Sequence, residues 1–220
     1  HPENVLSNKF LEELDIGTTD QWIMERVGIQ NRRTVLPLDY IRETKNVNPL
    51  KSFSIRQYTN AQMSAKAARM ALDRAGLKPE DIGLLISGSS SPDNITPAEA
   101  GAVAAELGIE VPCFDLNSAC STFGMQVNFL LRMKPEEMPP YVLLVGAEST
   151  TKVINYTDRN SAVLFGDGAS AGIVSSQIPS RAAFVSGGYN ARPSGWAKVG
   201  VTGDWVFSQD GNAVQGFAIR

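Results

Sequence analysis

Three short apolar runs, separated by stretches of helical periodicity, set the limits on how this chain can fold. Leu84-Leu-Ile86, Val111 to Leu116 and Tyr141 to Val145 each have the length of a buried strand. The spacing predicts a helix opened by Asn60, with Met63, Ala67, Met70 and Ala71 on helical spacing and Gly76 as its stop. Thr96-Pro97 predicts the start of a second, alanine-rich helix ending at Leu107-Gly108, with proline in its first turn. A third helix follows Cys120 and ends near Met133. Strands alternating with helices of about three turns point to an α/β fold with a largely parallel sheet.

The flanking regions read less regularly. Asn8 to Leu14 and Thr19 to Val27 read as short helices, with Thr18-Thr19-Asp20 as cap candidates for the second. Leu36 to Thr59 contains Pro37 and Pro49, has little periodicity, and reads as a polar loop or insertion. Beyond Val145, Thr157 to Leu164 reads as a short helix, and Phe165-Gly-Asp-Gly-Ala-Ser170 as a glycine-rich turn. Ala171 to Ser175 and Ala183 to Ser186 read as further strands.

Composition excludes several function classes. With 43% hydrophobic and 20% charged residues, the chain has the balance of a globular protein. No apolar run reaches the ~18 residues that a spanning helix needs. The opening His-Pro-Glu-Asn-Val is unlike a signal peptide, and since it lacks an initiating Met, further N-terminal sequence is expected. A net charge of −3 argues against nucleic acid as the main partner, and Arg32-Arg33 reads as a solvated surface pair. Cys113 and Cys120 form no disulfide framework, which points to a reducing cytoplasm. Without a Cys/His cluster no metal site is expected.

Cys120 is the candidate nucleophile. It ends Cys-Phe-Asp-Leu-Asn-Ser-Ala-Cys at a strand-to-helix turn, where small neighbours (Ser118, Ala119) permit a tight elbow. Helix N-termini favour the thiolate, the reactive form of the side chain. Cys113, between Val111 and Phe114, reads instead as core packing. A cysteine nucleophile normally has a base beside it, yet the only histidine is His1, at the extreme N-terminus. Gly166-Asp167-Gly168 lacks the nucleotide-loop patterns and reads as a tight turn with Asp167 bonding its own backbone.

These residues, with others, carry a family resemblance. Asp20-Gln-Trp-Ile-Met-Glu-Arg-Val-Gly-Ile29 with Arg32-Arg33, Phe114-Asp-Leu-Asn-Ser-Ala-Cys120, Val145-Gly-Ala-Glu148, and Asp158-Arg159 leading to Phe165-Gly-Asp-Gly-Ala169 occur in one order. The tail Asp210-Gly-Asn-Ala-Val with Phe217-Ala continues it. The ordered set resembles the β-ketoacyl-acyl-carrier-protein synthase III family of the thiolase fold, over nearly the whole chain except the stretch around Leu36 to Thr59.

The resemblance implies a layered αβαβα fold, of which this chain covers the first half (1–176) and, from 177 to 220, a connecting segment and the start of the second half. It implies a homodimer or related heterodimer, and a Cys120 helix buried between two sheets. It implies that Cys120 takes an acyl group from a coenzyme A or acyl-carrier-protein thioester, with no tightly bound cofactor. A malonyl- or β-keto-thioester then condenses with that acyl group in a Claisen reaction. The family's triad is Cys-His-Asn, and its oxyanion hole uses the N–H matching Cys120 and a glycine from the second half. Trp22 and Arg159 match the pair that stacks on the coenzyme A adenine, Thr18 and Arg26 lie where the nucleotide end is contacted, and Gly211 and Asn212 match the pantetheine tunnel. Val27, Thr96 and Gln215 depart from residues common in the family, leaving the acyl chain open. The alternative reading is a non-catalytic thiolase-fold partner subunit.

On the enzyme reading, the His and Asn of the triad are expected from the remaining half, in the same polypeptide or another, packed on the Cys120 helix. The helix after Cys120 carries Phe123, Met125, Val127, Phe129, Leu130 and Leu131 nearly all round. Residues 1–220 expressed alone are therefore expected to expose an apolar face, dissolve poorly and lack condensing activity. A soluble 220-residue protein with turnover overturns this expectation.

Overall fold

The computed structural model describes residues 1–180 and 182–218. Its elements begin with β1 (Asn4–Ser7), α1 (Asn8–Glu13), α2 (Asp20–Arg26), β2 (Asn31–Thr34), α3 (Leu38–Thr44) and α4 (Ser52–Ile55). The middle of the chain forms α5 (Asn60–Ala75), β3 (Leu84–Ser87), α6 (Glu99–Leu107), β4 (Cys113–Asp115), α7 (Thr122–Leu130) and β5 (Val142–Ser149). Last come α8 (Arg159–Ala162), β6 (Asp167–Val174), β7 (Val199–Val201), β8 (Phe207–Gln209) and α9 (Gly211–Ala218). They fall into two compact units that interleave in sequence: residues 59–148 with 169–190, and residues 1–58 with 149–168 and the chain from 191 onward.

In the first of these units a four-stranded sheet has the order β4-β3-β5-β6, with β3 parallel to both β4 and β5. Every residue of β3 is buried, as expected of a central parallel strand covered on both faces. Alternation along the strands divides the core. Leu85, Leu143 and Val145 pack with Ala61, Ala65, Ala68 and Leu72 of α5 and Ala100, Val103 and Leu107 of α6. Leu84, Ile86, Val142 and Leu144 pack with Val127 and Leu130 of α7 and with Met138. Burial of each large aliphatic side chain contributes ~2 kcal/mol, and the alanines let α5 and α6 lie close to the sheet.

Helix ends show where the sequence reading needs correction. α5 is capped by Thr59, whose Oγ1 accepts from Gln62 N in a reciprocal capping box. Asn60 is instead buried, with its Nδ2 donating to Ser91 O and Ser89 Oγ. Gly76 ends the helix in the left-handed region (φ 67°), as predicted. α6 starts at Glu99, not at Thr96-Pro97, because its cap comes from another strand: Asp115 accepts from Glu99 N and Ala100 N at 2.7 and 2.8 Å. Residues 183–186 form no strand.

In the other unit the polar stretch 36–59 is not an irregular loop. It holds α3 and α4, each too short to show periodicity in sequence. Two of its polar residues, Asn46 and Ser52, point inward: Asn46 is fully buried and donates to Lys152 O and Ile154 O at 2.8 and 2.9 Å. Ser52 donates to Lys152 O at 3.1 Å. Arg32 is likewise buried, not solvated, because its guanidinium donates to Val163 O and Asn8 Oδ1.

Asp167, at the start of β6, joins three segments of this unit and does not bond its own backbone as predicted. Its carboxylate accepts from Val35 N at 2.7 Å, Thr151 N at 2.9 Å and Thr151 Oγ1 at 2.6 Å. Burial pushes its pKa up to about 6, against those donors and Lys152, which pull it down. A carboxylate with a raised native pKa contributes stability that is complete below its unfolded value and is lost as pH rises through the native one. Compared with Asp167→Asn, the wild-type chain should therefore lose about 2 kcal/mol between pH 4.5 and 7.5. Urea unfolding of both proteins across that range measures it, and parallel pH profiles would refute it. At every pH the amide variant should be the weaker, since it offers one acceptor oxygen where two backbone N–H groups each use a different one.

Candidate active site

The elbow lies in the unit of the four-stranded sheet. Leu116 N donates to Ser87 O at 2.7 Å, extending the β3–β4 pairing by one residue. Gly88 then passes so close that a Cβ there would sit 2.4 Å from Leu116 O and 2.6 Å from Thr122 Cγ2. Beyond Leu116 the chain turns through Ala119, which has φ 46°, a conformation that costs a non-glycine residue about 1 kcal/mol or more. Asn117 Oδ1 accepts from Ala119 N at 2.9 Å. Thr122 Oγ1 accepts from Ser118 N at 2.9 Å and donates to Ala119 O at 2.7 Å. Both polar groups of the strained residue are thus satisfied locally.

Cys120 sits in the 3-10 turn Ala119–Ser121 and is exposed. The sequence predicts a helix from the residue after Cys120; a 3-10 turn intervenes, and α7 begins at Thr122. Cys113 is half-buried on β4, packed beside the α5–α6 core. The face of α7 that carries Phe123 is open, that residue being 53% exposed. Beside the elbow, Glu148 at the end of β5 accepts from Ser90 N at 2.8 Å and Ser91 Oγ at 2.7 Å. It holds the loop that follows Gly88.

The residues that match the family's nucleotide contacts lie in the other unit. α2 is capped by Thr19, whose Oγ1 accepts from Trp22 N at 3.1 Å. Thr18 is therefore not the cap; it is buried, and its Oγ1 has no hydrogen-bond partner among the described residues. Arg159, exposed at the first turn of α8, places its guanidinium 5.0 Å from the Trp22 ring centroid and donates to Gly17 O at 2.6 Å. Arg26, one turn along α2, lies 5.8 Å from the same ring. The structure thus brings together Trp22, Arg26 and Arg159, with Thr18 next in sequence to Gly17, as the spacing of their motifs alone could not show. Arg159 makes direct cation–π contact with Trp22, so a base that stacks between them enters only if the guanidinium swings aside.

Gly211 and Asn212 form the exposed first turn of α9, where Asp210 Oδ1 caps by accepting from Ala213 N at 2.9 Å. Phe165 of the glycine-rich motif packs edge-on against Phe207, with centroids 4.7 Å apart. Among the described residues no group of three or more His, Cys, Asp or Glu is placed to hold a metal, and no helix is long and apolar enough to cross a membrane. Sequence reasoning missed the supports of the elbow: Asn117, Thr122, and Tyr189, whose hydroxyl lies 2.7 Å from Ser118 Oγ. The 71-residue separation of that last pair leaves no local signal.

The profile of the family described as 3-oxoacyl-[acyl-carrier-protein (ACP)] synthase III matches residues 114–189, which include the elbow. Beta-ketoacyl-[acyl-carrier-protein] synthase III of Campylobacter jejuni subsp. doylei is 38% identical over 176 residues, 79% of this chain and 48% of its own length. The enzyme of that name from Chlamydia caviae is 36% identical over 179 residues, 81% of this chain and 48% of its own. Among solved structures, 3-oxoacyl-[acyl-carrier-protein] synthase III from Aquifex aeolicus VF5 superimposes with a TM-score of 0.80 at 27% identity, over 98% of this chain and 63% of that one. The corresponding structure from Pseudomonas aeruginosa PAO1 gives 0.79 at 27% identity, over 99% and 63%. The chain spans about half the length of the curated relatives it matches. Its thiolase-type α/β architecture and the order of its motifs agree with these likenesses: over the part that it spans, the chain is similar to the 3-oxoacyl-[acyl-carrier-protein] synthase III family.

Proposed function

We propose that this chain carries the acyl-accepting part of a ketosynthase III-like acyltransferase. The observation that carries the reading is the exposed Cys120 on an elbow strained at Ala119, since such strain persists only where surrounding bonds hold it. In the first step the Cys120 thiolate attacks a thioester carbonyl, and the donor's thiolate leaves. In the second, a malonyl-type thioester loses carbon dioxide, or a β-keto thioester a proton, and the resulting carbanion attacks the acyl-cysteine and expels the Cys120 thiolate. The family's His and Asn, which would stabilise that carbanion, are read as coming from the family's second half, in the same polypeptide or another.

Trp22, Arg26, Arg159 and Thr18 are read as the holders of the coenzyme A nucleotide end, and Gly211 and Asn212 as neighbours of its pantetheine arm. The donor is a coenzyme A or acyl-carrier-protein thioester; the relatives' names support the carrier protein as partner. A homodimer or related heterodimer and a cytoplasmic setting complete the reading, the latter supported by two free cysteines.

Intact mass after incubation with a panel of acyl thioesters should show one acyl adduct, absent from Cys120→Ala. An alkylating acyl analogue at neutral pH should mark Cys120 and spare Cys113; an adduct on Cys113 alone would sink the assignment. Trp22→Ala should weaken transfer from a coenzyme A thioester by roughly 2- to 30-fold, the range of an arginine–aromatic contact. Transfer from a short pantetheine thioester should hardly change, and equal loss with both donors would make Trp22 structural.

A further inference from the structure

We infer that Tyr189 is a positioning residue for Cys120, acting through Ser118; this rests on the reading of Cys120 as the acyl acceptor. Tyr189 belongs to the segment 182–190, which has no regular secondary structure and lies in the same compact unit as the elbow. That segment meets both α7 and the elbow that precedes it. Near the end of the helix, a Cβ on Gly187 would lie 3.1 Å from Leu131 Cδ1 and 3.5 Å from Asn128 Oδ1, so the backbone runs hard against it. At the other end, Tyr189 Oη and Ser118 Oγ share a hydrogen bond of 2.7 Å.

Ser118 is where an outside bond has most effect on the nucleophile. It immediately precedes Ala119, and its own N and O are both engaged in the turn, the N donating to Thr122 Oγ1 and the O accepting from Ser121 N. Its Oγ also lies 3.1 Å from Ser121 Oγ. Cys120 stands between those two serines, so fixing Ser118 and Ser121 fixes the turn that carries Sγ. Asn117 and Thr122 brace the turn from within its own loop, whereas Tyr189 is a brace from a distant segment. Orientation of this kind acts on the rate of attack more than on donor binding.

The test measures alkylation of Cys120 by iodoacetamide at neutral pH, peptide by peptide, in the full chain. Tyr189→Phe and Ser118→Ala should each slow it roughly fivefold, the effect of one hydrogen bond. The double variant should be no slower than either single one, and Ser118→Thr, which keeps the hydroxyl, should restore the rate. Cys113 should react as in wild type throughout. A wild-type rate in Tyr189→Phe, additive losses in the double variant, failure of Ser118→Thr to restore the rate, or a parallel change at Cys113 each overturn the role. Single-turnover acylation separates this inference from its premise. If wild-type Cys120 accepts no acyl group while the alkylation pattern holds, the acyltransferase reading fails and the positioning role stands. If acylation proceeds, Tyr189→Phe should lower its maximal rate and leave the half-saturating thioester concentration unchanged; an unchanged maximal rate refutes the role.

Discussion

Side-chain carboxylates that accept backbone N–H groups are the interaction on which this structure depends. Asp167 binds the N–H groups of Val35 and Thr151, Asp115 those of Glu99 and Ala100, and Glu148 that of Ser90. In each case a strand end, a helix start or a loop has left a backbone donor without a partner in its own element, and leaving such a donor buried and unpaired costs about 1–3 kcal/mol. Charged acceptors form the stronger kind of hydrogen bond. Around Asp167 the same burial that strengthens those bonds raises the carboxyl's pKa, so the donors and the desolvation oppose one another.

The elbow is built on the same logic at smaller scale. Ala119 occupies a left-handed conformation without the freedom of glycine, and amide and hydroxyl groups from Asn117 and Thr122 take up its backbone groups. Behind it, Gly88 removes the one methyl that would collide with Leu116 O. A strained residue, a side chain absent where space is needed, and a serine held from a remote segment together aim one exposed thiol.

The sheet and its main helices were legible in the sequence because burial there follows simple periods. Leu84-Leu-Ile86 is apolar throughout because both faces of β3 are covered, and the helix ending at Gly76 needs a left-handed stop. Where the reading failed, the deciding contact was remote. Nothing near Glu99 announces that Asp115 will cap its helix, and nothing in Arg32-Arg33 announces that one guanidinium meets Val163 O. The polar stretch 36–59 misled because Asn46 and Ser52 are polar in order to bond buried carbonyls. At the candidate site the motif order exposed Cys120, Trp22 and Arg159 as residues. The pairing of Trp22 with Arg159, which spans most of the chain, is visible only in three dimensions.

Arg159 already rests on the Trp22 ring and holds Gly17 O, so this surface is occupied by its own side chain. An aromatic ligand stacking there exchanges one contact for another, and only the difference enters its affinity. A plain hydrocarbon ring recovers too little to displace the cation, whereas a flat heterocycle that offers both a face to the indole and acceptors to the guanidinium repays both contacts. On the proposed reading of Trp22 and Arg159 as holders of a nucleotide, the arginine's resting place would make the platform selective by competition: it would screen ligands by what they return, before any pocket wall excluded them by shape.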